Sequence, residues 1–121
     1  MNTASNITLF EQSTEFTSYP AGSVIFTLGD PGKTMYVVRA GEVDIKVGEQ
    51  VIQTHGPGSL FGEMALIDNS PRSASAVAKT DCQLEGIDEM RFLFLVQHSP
   101  FFALQVMRIM ADRLRSIMPK V

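Results

Sequence analysis

The chain has no tryptophan, one cysteine and two histidines, and its formal net charge at neutral pH is only −3. Each scarcity excludes something. A lone Cys82 permits no internal disulfide, so stability must come from a packed core and a reducing compartment is the default. With only His55 and His98, there is no cluster of imidazoles and carboxylates at metal-ligand spacing, as a β-roll metal oxygenase or isomerase would need. No motif assembles a Ser/His/Asp or Cys/His set, so nucleophilic catalysis is not expected. The faintly acidic balance removes the electrostatic footprint that duplex binding requires. The densest basic group, Arg108, Arg113 and Arg115, is interrupted by Asp112 and reads as a solvated helix face. The N-terminus "MNTASNITLFEQ" lacks the basic and apolar regions of a secretion signal. The longest apolar tract is broken by Gln97, His98 and Gln105, so no helix is expected to span a membrane. A cytoplasmic, non-catalytic protein is the expectation by elimination.

What is present is β-rich first and helical last. At 121 residues one domain is expected, burying roughly two-thirds of its unfolded surface. Residues 1–13 read as an N-terminal arm with a short amphipathic turn around Ile7, Leu9 and Phe10. Over residues 14–88 the runs "EFTSYP", "SVIFTLG", "MYVVRA", "EVDIKVG", "QVIQTH", "SASAVAKT" and "CQLEGID" recur every eight to twelve residues, as in a sandwich or barrel. The stretches "GDPGK", "AGE" and "GEQ" supply the turns, and "HGPGS" a rigid corner. In "EVDIKV" the apolar Val43, Ile45 and Val47 alternate with charge, the pattern of a half-buried antiparallel strand. From residue 89 to 118 the period becomes helical. Asp88 and Glu89 favour one helix start, and Ser99 before Pro100 reads as the N-cap of another. The fold class expected is mainly β, an antiparallel roll with a short helix inside it and two C-terminal helices.

The run "FGEMALIDNSPRSASAVAK" sets one glutamate, Glu63, and one arginine, Arg72, nine positions apart and too far to pair on one helix. Gly62 precedes a short helix former, and a helix N-terminus offers unpaired N–H groups to an anion. Arg72 supplies a bidentate fork for phosphate oxygens. Glu63 repels an anion but accepts from a hydroxyl. An acceptor for a hydroxyl beside a fork for a phosphate describes a sugar phosphate. The blander readings are that Glu63 orients its own loop and that Arg72 pairs with Asp68 at the surface.

Phe61-Gly62-Glu63-Met64-Ala65-Leu66, then "IDNS", then Pro71-Arg72-Ser73-Ala74 resembles the phosphate-binding cassette of cyclic nucleotide-binding domains. Upstream, "PAGSVIFTLGDPGKTMYVVRAGEVDI" is similar to that family's early strands, with glycine turns at Gly22, Gly29, Gly32 and Gly41. The resemblance covers about residues 19–115. It implies a non-catalytic sensor in which Glu63 accepts from the ribose 2′-hydroxyl and Arg72 clasps the cyclic phosphate. Gly62, Met64, Ala65 and Ala74 would give backbone or close contact, Ser73 would reach the phosphate or base, and Phe61, Leu66 and Val77 would be apolar walls. Ser73 is compatible with cAMP and cGMP, with cAMP favoured. No cofactor or metal is implied, and a haem or redox role would need Cys82 or a histidine as axial ligand. Cys82 reads instead as a small buried hydrophobe.

In the last helix Leu104, Met107, Ala111, Leu114 and Met118 form a seam-like stripe, and Phe102, Val106 and Ile109 a second apolar line. A helix apolar on two faces needs two packing surfaces, so a ligand lid, a homodimer or more core are all open for the second. Transcription-factor relatives continue this helix into a DNA-binding helix-turn-helix, which the sequence to Val121 does not contain. The expectation is a sensor acting on an unidentified protein effector. The rival is an interaction domain that has kept the fold and lost the ligand.

Overall fold

The computed structural model describes Ile7, Leu9, Phe10 and residues 14–118. Most of the expected N-terminal arm therefore lies outside the described residues. Two four-stranded antiparallel sheets are built from β1 (Thr17–Tyr19), β2 (Val24–Phe26), β3 (Met35–Ala40), β4 (Val43–Val47), β5 (Gln50–His55), β6 (Leu60–Phe61), β7 (Ser75–Ala78) and β8 (Cys82–Ile87). The first has the order β1-β8-β3-β6 and the second β2-β7-β4-β5. The helices are α1 (Glu63–Asp68), α2 (Glu89–His98) and α3 (Pro100–Ile117).

The strand patterns report which faces are covered. In β4, Val43 and Ile45 are buried between the sheets, while Asp44 faces outward and accepts from Thr54 on β5 at 2.7 Å. β3 is apolar almost throughout because its sheet is covered on both faces. Met35 and Val37 join Leu60, Ile87, Phe102, Val106 and Ile109 in a core beneath the helices. Val38 joins Val43, Ile45, Phe61, Ala76 and Leu84 in a second core inside the roll. Ile7 and Phe10 complete the first core, with the Phe10 ring edge-on to Phe102 at 6.0 Å. Burying each large side chain of this kind contributes about 1.5–3 kcal/mol.

One strand escapes the sequence pattern. The corner His55–Ser59 carries the chain from the second sheet to the first, where Leu60 and Phe61 pair with Val37 and Tyr36 as β6. Two residues show no period. The corner itself is pinned by Gly58 N–H donating to Val38 O at 2.8 Å and Val38 N–H to Ser59 O at 2.9 Å.

Asp88 caps α2, its Oδ1 accepting from Arg91 N–H at 2.8 Å. Arg91 then reaches back to Gly86 O and to the fully buried Glu85, each at 2.9 Å, tying α2 to β8. Ser99 and Pro100 take the expected N-cap and first helical positions of α3, although the Ser99 hydroxyl makes no capping bond. Ser99 also closes α2, donating its N–H to Leu95 O at 2.7 Å. The two helices bend by 118° there. Among the described residues no single helix is long and apolar enough to cross a membrane. On α3, Phe102, Val106 and Ile109 are buried, whereas Leu104, Met107, Leu114 and Met118 are exposed. The roll thus covers one of the two apolar lines.

Candidate functional site

Arg72 is placed by backbone before its side chain does anything. Its carbonyl accepts from Gly29 N–H at 2.7 Å and its own N–H donates to Asp30 O at 2.9 Å, so the "GDPGK" turn after β2 holds it. Arg72 as a whole is 7% exposed. Nη1 donates to Gly62 O at 3.0 Å and Nη2 to Thr34 O at 2.8 Å, and the guanidinium lies 4.0 Å over the Phe26 ring. Nε is buried with no partner, and no carboxylate pairs with the group among the described residues. Asp68 bonds Ser70 instead, which removes the surface-pair reading. Burial pulls the guanidinium below its ordinary pKa, with Tyr36 and Asp30 opposing. Two glycines make room. A Cβ on Gly32 would sit 2.5 Å from Arg72 Nε, and one on Gly62 2.8 Å from Nη1. Gly62 also has φ +74°, the left-handed region that glycine adopts without strain.

Glu63 begins α1, 12% exposed at its side chain. It is not alone: Oε1 accepts from Arg113 Nη1 at 2.8 Å, across 50 residues. Arg113 Nη2 also donates to Leu60 O. The basic group on α3 is therefore not wholly a solvated face, because α3 crosses the mouth of the cassette and turns Arg113 inward.

Phe61, Gly62, Glu63, Met64, Ala65, Arg72, Ser73 and Ala74 all border one cavity of about 220 Å³. Leu66 and Val77 do not. Leu66 packs against the core beneath the helices, and on β7 the inward residues are Ala76 and Ala78, which leaves Val77 on the other face. The far wall comes from Phe26, Ile45, Ile52 and Gln53, with Arg113 and His55 at the side. None of these six was marked by the sequence. His55, read as an ordinary corner residue, is buried and stacked on Phe61 at 5.8 Å. Burial first, then Arg113, lowers its pKa to about 4 against the pull of Glu63, so the imidazole is neutral at pH 7. The cavity thus joins a buried, unpaired cation, a carboxylate held by α3, a neutral ring and apolar walls. Such a site takes an anion with a hydroxyl and a flat apolar body.

Known proteins resemble this chain in sequence and in fold. The cyclic nucleotide-binding domain profile matches residues 16–99. A cAMP-dependent protein kinase regulatory subunit of Eremothecium gossypii is 44% identical over 85 residues, 70% of this chain and 19% of that protein. The cyclic AMP receptor protein of Thermus thermophilus is 40% identical over 102 residues, 80% of this chain and 47% of that protein. The chain thus spans less than half the length of either relative. In three dimensions the Thermus thermophilus catabolite activator protein superposes with a TM-score of 0.74 at 38% identity, over 85% of this chain and 52% of that one. A structure from work on a cyclic-GMP-dependent signalling pathway of bacterial phytopathogenesis gives 0.75 at 30% identity, over 86% of both chains. By sequence match and by fold, this chain belongs to the cyclic nucleotide-binding domain family.

Proposed function

We propose that the chain is a cyclic-nucleotide sensor, cAMP being the favoured ligand, and that it signals through α3 without catalysing a reaction. The observation that carries this is Arg72, a buried guanidinium with no anionic partner at the edge of a cavity. Leaving a charge buried and unpaired costs several kcal/mol, which a bound phosphate would offset. Glu63 would accept the 2′-hydroxyl and Ser73 would reach the phosphate or base. The kinase regulatory subunit and the receptor protein among the relatives are named for cAMP, and one similar structure, 35% identical, is a cAMP-bound EAL enzyme.

The output follows from Arg113. The carboxylate that would take the ligand hydroxyl is the one that anchors α3. Ligand binding and helix position then share a residue, and any effect of one on the other is reciprocal. The uncovered stripe of Leu104, Met107, Leu114 and Met118 is the surface we assign to a second copy of the chain or to the protein effector.

Thermal unfolding with cAMP, cGMP and their 2′-deoxy analogues tests the reading. A ligand at a hundredfold excess over Kd stabilises by about 2.7 kcal/mol, a rise of about 10 °C for a domain this size. Arg72→Ala should raise Kd at least about a hundredfold and erase that rise. Glu63→Ala should weaken ribose ligands and leave 2′-deoxy ligands unchanged. No shift with any cyclic nucleotide would return the chain to the class of interaction domains.

A further inference from the structure

Four strands of the second sheet bring one residue each into a single cross-strand row. Phe26 pairs with Ala76, Ala76 with Ile45, and Ile45 with Gln53. Directly opposed residues share a face, so all four belong to the inner face of the roll. From Ala76 toward β5 exposure rises: Ala76 is fully buried, Ile45 is 9% exposed, and Gln53 lies open at the mouth. Arg72 sits over the Phe26 end. Three inter-strand steps of about 4.8 Å place Gln53 about 14 Å from that end. This is the scale of a purine nucleotide together with its contacts at phosphate and base.

The β5 strand is also irregular at this point. Ile45 pairs with Gln53 but Lys46 pairs with Val51, which leaves Ile52 as the extra residue of a bulge. The bulge lets two consecutive residues, Ile52 and Gln53, border the cavity, where regular alternation would admit one. One supplies an apolar face and the other a carboxamide. The charged side chains of the cavity each have protein partners, Glu63 with Arg113, Arg113 also with Leu60 O, and Arg72 with two carbonyls through its Nη atoms. The amide of Gln53 has no hydrogen-bond partner among the described residues.

We propose that Gln53 reads the base and selects adenine over guanine, which rests on the cavity being a cyclic-nucleotide site. A carboxamide carries one acceptor and one donor side by side, matching the 6-amino group and N7 of adenine. The same edge of guanine shows two acceptors, O6 and N7, and is matched by two donors from arginine or lysine. Guanine would set its O6 against the amide oxygen or leave one contact unmade.

Calorimetric titration of the purified chain with cAMP, cGMP and the cyclic monophosphate of unsubstituted purine riboside, which lacks the 6-amino group, tests this. The wild type should prefer cAMP. Gln53→Met should lose about tenfold for cAMP, the low end for a bidentate pair because the site is open to water, and clearly less for the other two, which keep only the N7 half of the pair. Gln53→Arg should move the preference toward cGMP. Wild-type binding with no preference for cAMP, or a cAMP/cGMP ratio unmoved by either variant, overturns the assignment of Gln53 while the sensor reading stands. Binding of none of the three overturns both.

Discussion

Replacing Arg113 with alanine separates the anchoring of α3 from everything else the helix does. The substitution removes the 2.8 Å contact to Glu63 and the hydrogen bond to Leu60 O, and leaves the buried face of Phe102, Val106 and Ile109 untouched. Glu63, 12% exposed, is then left with no other ion-pair partner among the described residues. Breaking a fully buried pair by deleting one member costs about 3–5 kcal/mol. Arg113 is 29% exposed and the cavity is open to water, so screening lowers the figure to about 2 kcal/mol. The freed carbonyl of Leu60 adds about 1 kcal/mol. A total near 3 kcal/mol lowers the midpoint of thermal unfolding by about 10 °C.

A double-mutant cycle with Glu63→Gln isolates the pair, because glutamine keeps an acceptor for Arg113 and removes the charge. The expected coupling is about 1–2 kcal/mol, measured by urea unfolding. Amide hydrogen exchange along α3 gives the functional half: cAMP should change protection of its last two turns in the wild type and not in Arg113→Ala. A coupling below about 0.5 kcal/mol, the range of an ordinary surface pair, would refute the anchor. So would a ligand response of α3 that survives the substitution.

Gly62→Ala should remove the ligand-induced thermal shift, since its Cβ would lie 2.8 Å from Arg72 Nη1, whereas Gly22→Ala, at φ +88° with nothing within 4 Å, should keep it; both lose about 1–2 kcal/mol of stability to the left-handed backbone, and equal ligand responses would refute the crowding argument. His55 titrates near 4 when folded and near 6.5 when unfolded, so the unfolded chain binds the extra proton and stability falls as pH drops from about 6.5 to 4, by as much as about 3 kcal/mol. Urea midpoints at pH 7 and 4.5 should converge in His55→Phe; an unchanged difference would place the titration elsewhere.

What the sequence made legible, and what it did not, divides by the range of the signal. Alternation in β4 and the helical period from Glu89 onward are local patterns, and both elements lie where those patterns put them. The cassette is local too, and its run from Phe61 to Ala65 and from Arg72 to Ala74 borders the cavity. The omissions are all non-local. Arg113 finds Glu63 only because α3 folds back across the roll. His55 is buried only because the corner after it switches sheets and brings Phe61 beneath its ring. Ile52 and Gln53 reach one wall together through a bulge, which no alternating pattern announces.

Val77 fails for a different reason. Ranking residues by hydrophobicity picks the valine of β7 as a wall, yet the inward positions around it are Ala74, Ala76 and Ala78, all buried. A well-packed core would set larger groups there to reach the density of a protein interior. Of these three only Ala74 borders the cavity, where with Gly62 and Ala65 it leaves open the volume beside Arg72 that larger side chains would fill. A binding site inside a small roll is therefore marked by missing bulk as much as by charge. The small residues beside the two charged ones, Gly62 and Ala65 around Glu63 and Ser73 and Ala74 after Arg72, carry that mark in the sequence itself.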